Sequence, residues 1–478
     1  MSKRILAKLW GPMPKRPNIL FVMTDDQTVR EMSCYGLNSI LPTPNMDRIA
    51  AGGTRFDNCF CTNALCAPAR ATVLTGCFSH VNGITGNSEK AGEVETLRAD
   101  LPTFPELLQE AGYRTGLFGK YHIRQDPRGF DEWAIHPGQG RYFDPEYIVN
   151  GRLEQKKGYS SDLTTDMALE FLESCSATDP FCMVYQFKAP HRPFRPALRH
   201  GEMFSDIEIP KPSTYDDDYS TRRIAGLSDD MKFDVSLARD YEDLPEDPAE
   251  RKDWIYQRFM KDRFRTIYGV DENLGRVLDH LDERGLADDT LVLYTSDHGY
   301  FLGDHGWYDK RFMYEPSVKI PLVARYPAGC PGGQVSRSLA MNVDFAPTIL
   351  DFAGIEAPDE MQGTSLRPLL EGKSPEDWRT ATYYAYYEDS WQLVGAGDDQ
   401  RAEPYQYFTP HRIGPHRGVR TERYKLIEYY TEGDYWELFD LDTDPDELRN
   451  VYDDAEYATV VSEMKQTLQQ TRERYRDS

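Results

Sequence analysis

Asn18–Met23 (NILFVM) is an unbroken apolar run that stops at Thr24-Asp25-Asp26, and this pattern of an apolar run ending in charge recurs along the chain. A run apolar at every position is buried on both faces, as in a parallel strand flanked by helices. Thr115–Phe118 leads into Gly119-Lys120-Tyr121-His122, Phe181–Phe187 into Lys188-Ala189-Pro190-His191, and Thr290–Thr295 into Ser296-Asp297-His298-Gly299. Helix-like segments precede two of these runs, at Thr103–Ala111 and around the apolar positions 274, 277, 278 and 281. Open α/β sheets bind ligands outside the carboxyl ends of their strands. Four runs that each end on Asp, His or Lys therefore predict one pocket in which those clusters meet.

The remainder of the chain has a different texture. Residues 205–255 are acidic, contain proline and lack clear periodicity, which predicts a long surface excursion. Beyond about residue 375, short Tyr-rich strand candidates appear at Thr382–Tyr387, Gly418–Tyr430 and Trp436–Leu441, followed by a terminal helix over Ala455–Arg474. The expected fold is α/β: a large mixed, mainly parallel sheet flanked by helices over residues 1–375, with a smaller C-terminal antiparallel α+β subdomain over 376–478. A chain of 478 residues can bury such a core, and no internal repeat points elsewhere.

Charge narrows the partners. Lys and Arg total 55 against 79 Asp and Glu, a net charge of −24, so nothing supplies the counterion release on which nucleic-acid binding depends. An anionic substrate must then be met by a local basic cluster. No run of 18 apolar residues offers a membrane span. The first twenty residues break their apolar stretch at Lys8, Gly11 and Pro12, unlike a signal peptide. Eight cysteines (Cys34, Cys59, Cys61, Cys66, Cys77, Cys175, Cys182 and Cys330) are too sparse for a disulfide scaffold. The expectation is a cytoplasmic protein with reduced thiols and neither a nucleic-acid nor a membrane partner.

The sharpest motif is Cys66-Ala67-Pro68-Ala69-Arg70, continued by ATVLTG. Together with PNILFVMTDDQ, GKYH, KAPH, SDHGYFLGDHGWYDKRFMYE, YKLIEYY and ELFDLDTDPDE, it resembles the type I sulfatases of the alkaline phosphatase superfamily, in which that cysteine is oxidised to Cα-formylglycine. The resemblance covers most of the chain. Departures are Ala69, where the family usually has Ser, and Tyr121, where Trp is commoner. The implied fold is alkaline phosphatase-like, and the implied activity is hydrolysis of O-sulfate esters. The texture around FLGDHGWYDKRFMYE looks more like the carbohydrate sulfatases than the choline-type ones.

The chemistry explains the residue types. A sulfate ester repels nucleophiles and its alkoxide leaves poorly, so a catalyst must neutralise charge and protonate the leaving oxygen. An unmodified thiol would give a thiosulfate-like adduct with no easy exit. An aldehyde hydrate offers two hydroxyls on one carbon: one attacks sulfur, and the other, once deprotonated, collapses to the aldehyde and expels sulfate.

The resemblance implies a role for each residue. Asp25, Asp26, Asp297 and His298, with the oxygen of modified Cys66, would hold a divalent cation. Three carboxylates suit a hard ion, and Ca²⁺ is expected. His298 stands where many members have Asn, and its nitrogen leaves Mg²⁺, Mn²⁺ and Zn²⁺ open. Arg70, one helical turn after Cys66, would reach the hydrated aldehyde. Lys120 and Lys310 match the sulfate-gripping lysines. His122 matches the base that deprotonates the second hydroxyl, and His191 the acid at the leaving oxygen. Asp304 and His305, between glycines, read as a structural turn. Two regions could meet the rest of a substrate: the basic stretch from His191 to His200, with Arg195, and the segment from about Tyr386 to Arg417, with His411, Arg412 and His416.

The implied partners are a sulfated small molecule or saccharide and a formylglycine-generating maturation enzyme, with oligomerisation left open. Two other functions fit the motifs: a formylglycine-dependent phosphodiesterase or phosphonate monoester hydrolase, and a non-catalytic glycan-binding homologue in which Cys66 stays a thiol.

Overall fold

Strand Asn18–Thr24 is buried at every position, and the sheet assembles around it. The computed structural model describes residues 16–87, 94–176, 178–388, 411 and 413–477. Asn18–Thr24 pairs in parallel with Thr290–Ser296 on one side and with Phe181–Gln186 on the other; Arg114–Gly119 and Glu132–Ile135 extend the parallel set. Antiparallel strands complete a ten-stranded mixed sheet, with Leu322–Arg325 beside Thr290–Ser296 and Glu146–Val149 and Arg152–Gln155 at the far edge. Helices cover both faces. Phe345–Ala353 and Phe104–Glu110 lie over the face that carries Ile19, Phe21 and Met23, while the long helix Pro248–Glu283 covers Leu20 and Val22. Alternate residues of one strand thus feed two cores, which is why its sequence is apolar throughout.

The register decides where the site forms. Thr24 pairs with Ser296, Met23 with Gln186, and Gly119 with Gln186, so four strands end at nearly the same level. Each of the four charged clusters leaves the sheet from that edge.

The C-terminal sheet is antiparallel, in the order Ala381–Tyr386, His416–Thr421, Tyr424–Tyr429, Tyr435–Asp440. The expected single strand Gly418–Tyr430 is two strands joined by a tight turn at Glu422-Arg423. No Gly, Asn or Pro marks that turn; the Thr421 hydroxyl closes it, accepting from Tyr424 N at 2.9 Å and donating to Tyr424 O at 3.1 Å. One face of the sheet, with Tyr384, Tyr386, Ile427 and Tyr429, joins the main core. The other face, with Val419, Leu426 and Leu438, packs on Met464, Leu468 and Tyr475 of the terminal helix Ala458–Tyr475. The textural boundary near residue 375 therefore separates two sheets that share a core.

Residues 205–255 are more structured than a surface excursion. Asp217 accepts from Arg222 and His305, Tyr219 donates to the His305 carbonyl, and the helix Pro248–Glu283 begins within the stretch. Buried ionic contacts replace the missing hydrophobic period.

A buried ion pair ties the chain entering the C-terminal sheet to the turn before the helix Phe345–Ala353. Arg379 Nη2 donates to Asp344 Oδ1 at 2.6 Å, and Asp344 also accepts from the backbone N–H groups of Met341 and Thr364. Removing one partner of a buried pair strands the other charge. Arg379→Leu should lower unfolding stability by about 3–5 kcal/mol in urea titration; a loss within the scatter of surface mutants would show that the pair is dispensable.

Candidate active site

Residues immediately beyond the aligned strand ends build the site. Asp25 N donates to Ala189 O, Asp297 N to Thr24 O and Lys120 N to Gln186 O, so backbone bonds fix three of its chain segments. Cys66 opens the helix Cys66–Thr75, which is buried along its whole length. Its N-cap, Leu65, has no capping side chain, and Asn87 serves instead: Ala67 N donates to Asn87 Oδ1 at 2.9 Å, and Asn87 N donates to Glu388 Oε1 at 2.7 Å. Sequence spacing could not single out Asn87, because it caps the helix from twenty residues away.

Cys66 Sγ lies 3.5 Å from Asp25 Oδ1 and 3.7 Å from Lys120 Nζ. Burial pushes the thiol up to about 12, with the Asp25 charge adding to the effect, so unmodified Cys66 holds its proton at neutral pH. Burial also pushes the Asp25 carboxyl up, but Lys120, His191, Arg70 and Lys310 outweigh it and hold Asp25 well below the usual carboxylate range. Lys120 pairs with Asp25, Lys310 Nζ reaches Asp26 Oδ1 at 2.7 Å, and Arg70 Nη2 reaches both Asp297 Oδ2 at 2.9 Å and Asp25 Oδ2 at 3.2 Å. Three buried carboxylates thus face three buried cations.

Arg70 also braces its surroundings: Nη1 donates to Gln186 Oε1 and the Lys120 carbonyl, and Nε to Asp297 Oδ2 at 3.1 Å. A planar fork of five donors suits that bracing task.

Two donor sets converge tightly enough to hold a cation: Asp25, Cys66, Asp297 and His298, and Asp25, Asp26, Cys66 and His191, each with its ligand atoms within 4.8 Å of one another. Among the described residues, Asp26 Oδ2 and His298 Nε2 are buried without a hydrogen-bond partner, so they are available as ligand atoms. Carboxylate oxygens with one or two imidazole nitrogens fit a divalent ion.

His122 sits at φ 57°, with Nδ1 buried and without a hydrogen-bond partner among the described residues. His191 is oriented by its own segment, Nδ1 lying 2.8 Å from the Arg192 carbonyl. Burial, reinforced by the Lys120 charge, pushes both imidazoles well below 6.5, leaving them neutral at neutral pH. A neutral imidazole is ready to act as a base; an anion held by Lys120 and Lys310 would offset the field that keeps His191 unprotonated. One further residue, Gln139, escaped sequence reasoning. Gln139 Oε1 accepts from Lys120 Nζ at 2.5 Å, and Lys188 donates to the Gln139 carbonyl at 3.2 Å while lying 4.9 Å over the Tyr142 ring.

The residues expected to meet the rest of a substrate fall into four cases. His411 is adjacent to the pocket: its Nε2 is 2.7 Å from Asp309 Oδ2, and Asp309 also binds Arg311 at 2.8 Å beside Lys310. Positive φ at Asp309 (74°) and Arg311 (95°) bends the chain on both sides of Lys310. Arg412 lies outside the described residues. Arg195 is exposed, but its basic stretch is largely neutralised, with Arg192 paired to Asp240 and Arg199 to Asp162 and Glu272. His416 must be corrected: it is fully buried among Tyr384, Tyr386 and Tyr429 at 5.0–5.6 Å, with Nδ1 3.0 Å from the Gly414 carbonyl, because the strand register turns it into the core. Asp304 and His305 occupy a turn braced by Arg30 and Asp217.

The sulfatase family model matches residues 17–355. This chain belongs to the sulfatase family. A second model, N-sulphoglucosamine sulphohydrolase, C-terminal, matches residues 397–474 of the sulfatase. The N-acetylglucosamine-6-O-sulfatase of Bacteroides thetaiotaomicron is 42% identical to it over 97% of this chain and 88% of the relative. The human N-acetylglucosamine-6-sulfatase is 27% identical over 91% of this chain and 81% of its own. A solved structure of BT4656 in complex with its substrate D-glucosamine-2-N,6-O-disulfate has a TM-score of 0.85 at 42% identity, covering 97% of this chain and 99% of that one. The fold is also shared with the phosphonate monoester hydrolase of Agrobacterium radiobacter, at TM-score 0.72 and 24% identity over 96% of both chains. The sulfatase is a sulfuric ester hydrolase with an alkaline phosphatase-like architecture. Its family implies a divalent cation and a formylglycine, and the donor sets around Cys66 suit such an ion.

Burial pushes His416 down to about 4 from 6.5. Between those values the unfolded chain binds a proton that the folded chain refuses, so His416 contributes stability above pH 6.5 that is lost as pH falls toward 4. His416→Phe should flatten that part of the melting-temperature profile and leave kcat/KM on a small aryl sulfate within about threefold. A larger loss of turnover would return His416 to the site.

Proposed function

We propose that this sulfatase removes the 6-O-sulfate from a glucosamine-type saccharide, using a formylglycine made from Cys66 and a divalent cation, with Ca²⁺ expected. One observation carries the chemical part: the Cys66 side chain opens a buried helix between Asp25 and Lys120, inside a shell of three carboxylates and three cations. The names of the relatives supply the saccharide part.

Asp25, Asp26, Asp297 and His298 would hold the cation. Bound there, the cation would supply Lewis-acid polarisation, and the hydrated formylglycine a pair of hydroxyls for attack and release. The chain's own residues do the remainder. Lys120 and Lys310 approach from opposite carboxylates, Asp25 and Asp26, and grip the sulfate oxygens as point charges. Arg70 helps keep Asp25 ionised and holds Asp25 and Asp297 in place. His122 is neutral and takes a proton from a hydroxyl at residue 66. His191, once the anion has raised its proton affinity, gives a proton to the leaving oxygen. Asp309, Arg311 and His411, next to Lys310, offer an acceptor and donors suited to sugar hydroxyls. Conversion of Cys66 calls for a maturation enzyme that meets this peptide while it is accessible, since the folded chain buries it.

Chelation should abolish turnover and lower the melting temperature, because the cation no longer screens carboxylates packed around one point. Ca²⁺ should restore both best. Full activity in metal-stripped protein would refute the cation site, and better recovery with Zn²⁺ than with Ca²⁺ would correct the ion.

Protein whose residue-66 peptide has the aldehyde mass should release sulfate from 6-O-sulfated N-acetylglucosamine in preference to its 3-O- and 4-O-sulfated isomers. His411→Ala should reduce kcat/KM on that sugar at least about tenfold more than on an aryl sulfate, since only the sugar uses contacts away from sulfur. Preference for another position, or for an aryl phosphodiester, would overturn the substrate reading. Equal losses on both substrates would remove His411 from sugar recognition.

A further inference from the structure

Asp25 and Asp26 are adjacent at the end of an extended strand, where consecutive side chains point to opposite faces. Yet one carboxylate oxygen each of Asp25 and Asp26, Cys66 Sγ and a His191 nitrogen lie within 4.8 Å of one another. The backbone makes this convergence: Asp26 adopts φ 72°, a left-handed conformation costly for a residue with a side chain. Glycine would take that turn without strain but would bring no carboxylate.

The turn must be held from outside. Asp26 N donates to Asp297 Oδ1 at 3.2 Å and Gln27 N to Ser296 Oγ at 2.9 Å, which fixes one side of the peptide. The other side, the Asp26 carbonyl, accepts from Nη2 of Arg263. Arg263 comes from the middle of the long helix Pro248–Glu283, is fully buried and lies 4.4 Å over the Tyr300 ring. Glu31, equally buried, binds Arg263 Nε at 2.5 Å and Nη2 at 2.9 Å, and accepts from Thr28 N at 2.9 Å two residues after the turn. The pair thus grips both the Asp26 carbonyl and the chain that leaves it. Replacing a buried ion pair with apolar residues is often neutral or stabilising, so fold stability alone does not account for one here.

We propose that Arg263 and Glu31 are positioning residues that lock Asp26 in its left-handed turn, so that its carboxylate joins those of Asp25 and Asp297 on the cation. The proposal rests on the cation-site reading above. Neither residue touches the reacting atoms; they act through the Asp26 peptide, as the outer partners of metal ligands do.

Two variants test it. The double variant Arg263→Gln/Glu31→Gln replaces the charges with a neutral pair of similar size. Arg263→Lys keeps the charge beside Glu31 but lacks the fork that reaches the carbonyl at the same time. Metal-stripped wild type and variants are titrated with Ca²⁺ by calorimetry, and kcat and KM on an aryl sulfate are measured across a Ca²⁺ series. Both variants should melt near the wild type when metal-free and bind Ca²⁺ about 10- to 100-fold more weakly. Their kcat should recover at high Ca²⁺, with KM close to that of the wild type, a split that a merely structural role would not produce. Affinity within about twofold of wild type in a folded variant overturns the proposal. If the double variant does not fold, the same threshold applied to Arg263→Lys decides. Failure of the wild type itself to bind a divalent ion overturns the cation site, whereas tight binding by wild type and variants alike removes only the positioning role.

Discussion

Charge compensation inside a low-dielectric pocket is the constraint on which this sulfatase depends. Asp25, Asp26 and Asp297 are almost completely shielded from water, and so are Arg70, Lys120 and Lys310. A lone buried charge is expensive, and a pair repays that cost only with good geometry and every remaining hydrogen-bonding group engaged. Here each cation meets a carboxylate, while Gln186, Gln139 and backbone carbonyls take up other donors. The balance also sets protonation: the cations keep Asp25 ionised, and burial, reinforced by Lys120, keeps His122 and His191 neutral.

That balance needs a scaffold able to bring distant segments to one level, and parallel strands do this well. Their ends align by register, so Asp25, Lys120, Lys188 and Asp297 leave the sheet side by side although they lie far apart along the chain. The helix Cys66–Thr75 and the chain around Lys310 then close the pocket from outside the sheet. The C-terminal sheet completes the wall, because it shares a core with the main domain and brings His411 to Asp309 and Glu388 to Asn87.

Four of the residues with positive φ lie next to the chemistry. Asp26, His122, Asp309 and Arg311 all have positive φ, and each re-aims a side chain that an extended chain would direct elsewhere. Such turns persist only where surrounding contacts hold them. The Arg263–Glu31 pair beneath Asp26 and the Arg311–Asp309–His411 set around Lys310 are those contacts.

Much of this was legible in the chain itself. An apolar run buried on both faces can be little other than a central parallel strand, and polar residues just after it can lie only at the sheet's carboxyl edge, so the fold and the main clusters follow from local pattern. CAPAR and its companion motifs pointed to the family for the same reason, since they lie contiguously along the chain. Contacts between segments far apart in sequence could not be read that way. The pattern did not reveal that Asn87 caps the nucleophile's helix, that Gln139 holds Lys120, that Arg70 braces Asp25 and Asp297, or that a threonine hydroxyl splits Gly418–Tyr430 into a hairpin. It pointed His416 toward a substrate, whereas pairing in the small sheet turned it into an aromatic core, because in a strand the register alone decides which face a side chain takes. The sequence by itself determined which residues have the chemistry; only the tertiary structure decided which of them meet, since burial, register and charge pairing are properties of segments brought together in folding.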